Sequence, residues 1–205
     1  MSHLKFRGLR WIGVLATTVA LCAPALAADV ELLPNNLLTP TSKEQTKPGQ
    51  FKKAGPWRVG VSFGGVGNTW IVQMIQEMRH AAAQDKNIGE FIFVEANWQA
   101  AKQVADVEDL LTKKVDVLIV GPISSAIGAP LVEKAAKTGI PVVVFGAFGK
   151  AMNSTVELVG AGEVFGRQGG EYLRKELDGK GNVWAFRGVA GVEEETLRYN
   201  GFRKS

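Results

Sequence analysis

The sequence predicts an α/β fold: a mainly parallel sheet flanked by helices on both faces. Three observations predict it. From Trp57 onward, short apolar, β-branched runs alternate with segments of helical periodicity, the pattern of successive βαβ units. One run, "VDVLIVG" at 115–121, reads as a single apolar strand, as expected of a sheet buried on both sides. A glycine-rich turn, "GGVGN" at 64–68, joins the first run to the first helical segment.

The elements follow in order. "WRVGVSF" (57–63) is the first strand. Residues 69–86 carry Ile71, Met74, Ile75, Met78 and Ala82 at helical spacing. "EFIFVEA" (90–96) is the second strand. Residues 99–114 place Ala100, Val104, Val107 and Leu111 on one helix face, with Asp109 and Lys113 as an i,i+4 pair on the other. "VDVLIVG" is the third strand, 125–138 the third helix and "IPVVVFG" (140–146) the fourth strand. "STVELVG" (154–160), a helix over 163–177, a sixth strand "NVWAFRG" (182–188) and a helix from Glu193 complete the reading. Ligands of such sheets bind beyond the carboxyl ends of the strands. That directs attention to 64–70, 95–98, 121–125, 146–149, 160–163 and 188–196.

The N-terminus is of another kind. Lys5, Arg7 and Arg10 precede an uncharged apolar run, Trp11–Leu21, and Ala25-Leu26-Ala27 is a small-x-small cleavage site. Residues 1–27 therefore read as a secretory signal peptide cut after about Ala27. The apolar run is short for a membrane-spanning anchor. Lipid attachment at Cys22, the sole cysteine, is the alternative, disfavoured by the bulky Leu21 before it. The chain carries a formal net charge of +4. Residues 1–27 hold three of the 24 basic residues and no acid, leaving 21 against 20. The basic footprint of a nucleic-acid binder is absent. Residues 28–56, with Pro34, Pro40, Pro48 and Pro56 among polar residues, read as an extended tether.

The glycine loop invites a phosphate reading, which fails on particular residues. A dinucleotide fingerprint needs a third glycine where Trp70 stands, and no Gly-Lys-Ser/Thr follows for a P-loop. Glu95 ends the second strand where a ribose-binding acid would sit, a weak signal by itself. Asn68 and Trp70 remain at the mouth of the sheet. An indole face suits the C–H face of a sugar, and an amide both donates to and accepts from hydroxyls. Trp70 could equally pack in the core as the first apolar residue of its helix; the chemistry alone leaves both readings open. Catalytic candidates are poor. The histidines, His3 and His80, fall in the signal peptide and mid-helix; Ser124-Ser125 lacks a nucleophile elbow and a following histidine. Glu193-Glu194-Glu195 suits the first turn of a helix. No catalytic residue, metal site or cofactor is expected.

The stretches "VGVSFGGVGNTW", "ANWQAAKQVADVEDLLTKKVDVLIVGP", "VEKAAKTGIPVVVFG" and "GKGNVWAFRGVAG…RYNGF", in this order and spacing, carry a resemblance. From about Trp57 to the end the chain resembles the periplasmic substrate-binding proteins of sugar ABC transporters, of the ribose/galactose type (type I periplasmic-binding-protein fold). The resemblance implies two Rossmann-like lobes closing on a sugar or polyol in the periplasm. It also implies delivery to an inner-membrane permease with its ATPase, a monomeric state, and no enzymatic activity. Repressors sharing the fold begin with a DNA-binding helix-turn-helix, where this chain has an export signal. Residues 57–161 would be the N-terminal lobe and 162–205 the start of a second, truncated lobe, exposing Val183, Trp184 and Phe186. In the family pattern Asn68 is the loop asparagine and Trp70 the first stacking aromatic; Gly64 gives the backbone room beside the ligand. Gly146 and Ala147 stand where Asp-Arg is usual, Gly121 where asparagine is common, and Ala161-Gly162-Glu163 where Ser-Asp-Asn is common. The usual arginine falls on Thr196, with Arg198 two residues on. Trp98, Phe148 and Glu163 are the remaining candidates for the pocket. The alternatives are a sensory binding protein serving a membrane receptor, and an exported nucleotide-dependent enzyme of Rossmann type.

Overall fold

A computed structural model describes residues 46–146, 151–160 and 162–205. The expected signal peptide, the expected tether up to residue 45, and the positions Ala147, Phe148 and Ala161 lie outside the described residues. The strands are β1 (Trp57–Phe63), β2 (Ile88–Glu95), β3 (Val117–Gly121), β4 (Val142–Gly146) and β5 (Val156–Val159). The helices are α1 (Thr69–Gln84), α2 (Ala100–Thr112), α3 (Ser125–Ala136), α4 (Gly162–Glu176) and α5 (Glu193–Lys204). The five strands form one sheet in the order β2-β1-β3-β4-β5, all pairs parallel.

Strand alternation sends side chains to two cores. Val59, Val61 and Phe63 of β1 point to one face, where Ile71 and Ile75 of α1 close over them. Leu118, Val120, Val142 and Val144 point to the other, against Val107 and Leu110 of α2 and Leu131, Val132 and Ala135 of α3. From β1 the chain runs outward to β2 on one side, then returns to β3 on the other. The loops after β1 and β3 therefore diverge to opposite faces of the sheet, the switch point at which open α/β sheets bind ligands.

Three sequence expectations need correction. The buried face of α2 is Gln103, Val107 and Leu110; Ala100 and Val104 are exposed and Leu111 is half-buried. The helix is turned so that one polar side chain enters the core. The predicted strand 182–188 has no regular structure. Parallel strands exist only where a neighbour supplies ladder bonds, and none lies beside this segment among the described residues. Trp184 and Phe186 are 85% and 94% exposed, as the resemblance led us to expect. The end of the predicted tether turns rather than extends. Gln50 donates to Lys47 O, Lys53 pairs with Asp116, and the Trp57 indole donates to Lys53 O at 3.0 Å.

α4 and α5 form a hairpin of unusually close approach. A Cβ on Gly166 would lie 1.8 Å from the Arg198 carbonyl oxygen, and one on Gly201 2.0 Å from that of Glu163. Only glycine permits backbones to meet at this distance. Ion pairs Lys204–Glu163 and Arg187–Glu195 clasp the hairpin.

Candidate functional site

The parallel register brings the carboxyl ends of the central strands level. Phe63 pairs with both Glu95 and Gly121, and Gly64 N donates to Gly121 O at 2.8 Å. The loops after β1, β2 and β3 thus share one mouth.

The glycine loop is held by protein groups. Val66 N donates to Glu95 Oε1 at 2.7 Å. Asn68 is the N-cap of α1, its Oδ1 accepting from Ile71 N at 2.9 Å, the ordinary work of an N-cap amide. A phosphate on this loop would need such N–H groups free and no carboxylate beside it. Here two are already bonded, one of them to Glu95. Glu95 is therefore a brace for the loop rather than a solvated strand end.

Trp98 explains the glycine at 65. Asn97 and Trp98 both adopt left-handed backbone, at φ 50° and 61°, and Trp98 N donates to Gly64 O at 2.6 Å. The indole lies flat on the loop: a Cβ on Gly65 would sit 2.2 Å from Trp98 Cε2. Gly64 abuts Ile123, and Gly121 leaves space for the Phe63 ring, which a Cβ there would approach to 2.9 Å.

Trp70 is 61% exposed, which answers the question its position raises: it is not a core residue. Its ring stacks on Phe145 with centroids 5.7 Å apart and planes at 24°. Phe145 in turn meets Phe63, and Phe63 meets Phe93, each at 6.1 Å. The indole thus rests at the end of an aromatic row, with much of its surface open to solvent. Gly146, at φ 144°, follows Phe145 and accepts from Gly160 N at 2.9 Å.

Gly64, Asn68, Trp70, Trp98, Gly121 and Gly146 therefore gather at the ends of the strands. Glu163 is not drawn in with them: it lies on α4, its carboxylate bonded to Lys204 at 2.5 Å, and that bond lowers its pKa. Sequence reasoning missed Phe145, which reads as one more strand residue, and Gln103. The Gln103 side chain is fully buried; Nε2 donates to Gly121 O and Oε1 accepts from Ile123 N, each at 3.1 Å. It pins the loop after β3 from beneath. No sequence signal marks it, since a lone polar residue on a helix usually faces water.

The mouth offers an open aromatic face, a neutral amide and backbone groups. Among the described residues no cluster of three His, Cys, Asp or Glu could hold a metal ion, and no helix is long and apolar enough to cross a membrane. Two surface depressions lie elsewhere. One of about 270 Å³ is lined by Arg79, Gly89 and Phe91. The other, about 520 Å³, lies at the opposite ends of the strands, by Lys53, Trp57 and Asp116.

Comparison with known proteins agrees with this geometry. Residues 59–205 match the family described as periplasmic binding protein domain. The ribose import binding protein RbsB of Bacillus subtilis is 30% identical over 171 residues, covering 81% of this chain and 55% of the relative. Among solved structures, an ABC transporter solute-binding protein from Thermobispora bispora is 30% identical at a TM-score of 0.64, covering 72% of this chain and 47% of that one. One from Actinobacillus succinogenes with bound D-allose is 26% identical at 0.61, covering 72% and 54%. The fructose-binding periplasmic domain of a hybrid two-component system is 27% identical at 0.65, covering 72% and 49%. The chain spans about half the length of these relatives. A parallel sheet with its switch point lined by an aromatic row, and a family match running from β1 to the last residue, lead to one conclusion: the chain belongs to the periplasmic binding protein family.

Proposed function

We propose that this chain belongs to the solute-binding component of an ABC importer, taking a sugar or polyol between two lobes in the periplasm. Residues 57–161 form the first lobe and 162–205 begin the second. Residues 1–27 export the protein and are cleaved after about Ala27. The partners are an inner-membrane permease and its ATPase, the binding protein acts as a monomer, and no covalent step occurs. The observation that carries the reading is the exposed Trp70 indole, stacked on Phe145 at the switch point beside Asn68. Such a face takes the C–H side of a pyranose, furanose or inositol ring. Gly64, Trp98, Gly121 and Gly146 complete the first-lobe wall. The likeness to a fructose-binding domain of a two-component system supports a second reading, in which the same cleft reports solute to a membrane receptor.

Saturation-transfer NMR on the purified chain, with a panel of sugars, polyols, NAD and ATP, tests the ligand class. Ring protons of at least one sugar or polyol should receive saturation, and Trp70→Ala should abolish it. For the 205-residue chain, binding through the few contacts at this mouth should be no tighter than about millimolar. Saturation of NAD or ATP without any sugar or polyol would overturn the proposal.

A further inference from the structure

α4 and α5 pack mainly on each other. Their hairpin is braced internally by the glycine contacts at 166 and 201 and by the pairs Lys204–Glu163 and Arg187–Glu195. Its attachment to the sheet-bearing part is slight. Among the described residues, the hydrogen bonds joining 162–205 to 46–160, apart from the chain connection at Gly160–Gly162, both belong to Glu193. Its backbone N–H donates to Ile123 O at 3.2 Å, and its carboxylate Oε2 accepts from Ser125 N at 2.6 Å.

The receiving end is prepared for an anion. Ser125 is the first residue of α3, and the side chain of its N-cap, Ser124, makes no capping bond. The Ser125 N–H has no intrahelical partner by position, and the helix dipole favours negative charge there. A carboxylate–amide bond of this length is charge-assisted. Ile123 is the residue that Gln103 holds from the other side, Oε1 accepting from Ile123 N. The loop after β3, which begins at Gly121 in the mouth, is thus gripped from below by Gln103 and from above by Glu193.

We infer that Glu193 is a latch: its carboxylate caps α3 from outside the first lobe and docks the α4–α5 hairpin over the sheet's mouth without help from a solute. Releasing it loosens the hairpin, as a unit, from the loop after β3. The inference concerns docking of the hairpin and does not depend on which solute the cleft takes.

Amide hydrogen exchange on the 205-residue chain tests it. In Glu193→Ala the Ser125 amide should exchange about tenfold to a hundredfold faster, the loss of one charge-assisted bond. Amides of Val61 and Val120 in the core should keep their wild-type rates. Glu193→Gln, which retains an oxygen acceptor without charge, should fall between the two and guards against unfolding of the alanine variant. The scattering radius of gyration should rise in the alanine variant. Unchanged Ser125 exchange in both variants overturns the latch, as does a rise shared equally by Val61 and Val120.

Discussion

Replacing Gln103 by leucine removes two hydrogen bonds from the core while nearly preserving volume. The consequences are unequal. Gly121 O loses Gln103 Nε2 but keeps Gly64 N at 2.8 Å, so that acceptor remains satisfied. Ile123 N loses its partner, Gln103 Oε1, in a residue only 7% exposed. An orphaned buried donor costs about 1–3 kcal/mol. For a domain of this size that corresponds to roughly 2–12 °C in Tm, at about 2–4 °C per kcal/mol. Gln103→Ala adds an unfilled volume and should cost more, about 2–5 kcal/mol by analogy with other large-to-small core changes. Thermal melts followed by circular dichroism give the stability. Exchange at the Ile123 amide should accelerate more than at Val61, because the lesion is local to the loop. Sugar saturation by NMR should weaken as well, since Gly121 and Ile123 shape the mouth. A leucine variant as stable as wild type, with Ile123 exchange unchanged, would refute the reasoning: the amide would then be filling space and not holding the loop.

Three further outcomes are expected. Trp70→Ala should leave the Tm of the unliganded chain within a few degrees, because a mostly exposed ring contributes about 1 kcal/mol through its stack on Phe145; a much larger fall would assign Trp70 to the core. Gly65→Ala should expel the Trp98 indole, since no rotation of a methyl relieves a 2.2 Å approach to Cε2; the expected signs are a shift in tryptophan fluorescence and a Tm loss of several degrees, and an unchanged spectrum would contradict the packing. Asp116 bonds to Lys53 and accepts from Arg58 N at 2.8 Å, and these bonds hold its carboxyl below the usual carboxylate value. Because the folded pKa lies below the unfolded one, this stabilisation is present above about pH 4 and fades as pH falls through the folded value. The stability difference between wild type and Asp116→Asn should therefore shrink on acidification from pH 6 to pH 3; a constant difference would argue against the pairing.

Much of this protein is written in one dimension. Five strands and their helices are legible because hydrophobic periodicity is a local property: "VDVLIVG" has one way to bury its side chains, and Ile71, Ile75 and Ala82 recur at the helical interval. The failure of the phosphate motif is legible in the same way, since a tryptophan at position 70 is incompatible with the packing a third glycine serves. Whether Trp70 is buried was not legible in the residue chemistry alone, although the family resemblance implied a stacking aromatic there. Helical spacing fits a buried and an exposed ring equally, and only its stack on Phe145, 75 residues away in sequence, leaves the indole open at the mouth. The rotation of α2 that buries Gln103 has the same origin: which face of a helix turns inward is set by the sheet it meets. "NVWAFRG" shows the converse. Its composition is that of a strand, but a strand is a property of a pair, and without a neighbour to bond with the segment stays irregular and exposed. Sequence thus determined the elements and their order, because burial patterns repeat locally. The tertiary structure decided which side chains meet at the mouth, because those meetings join residues that only the parallel register and the crossover between β1 and β3 bring together.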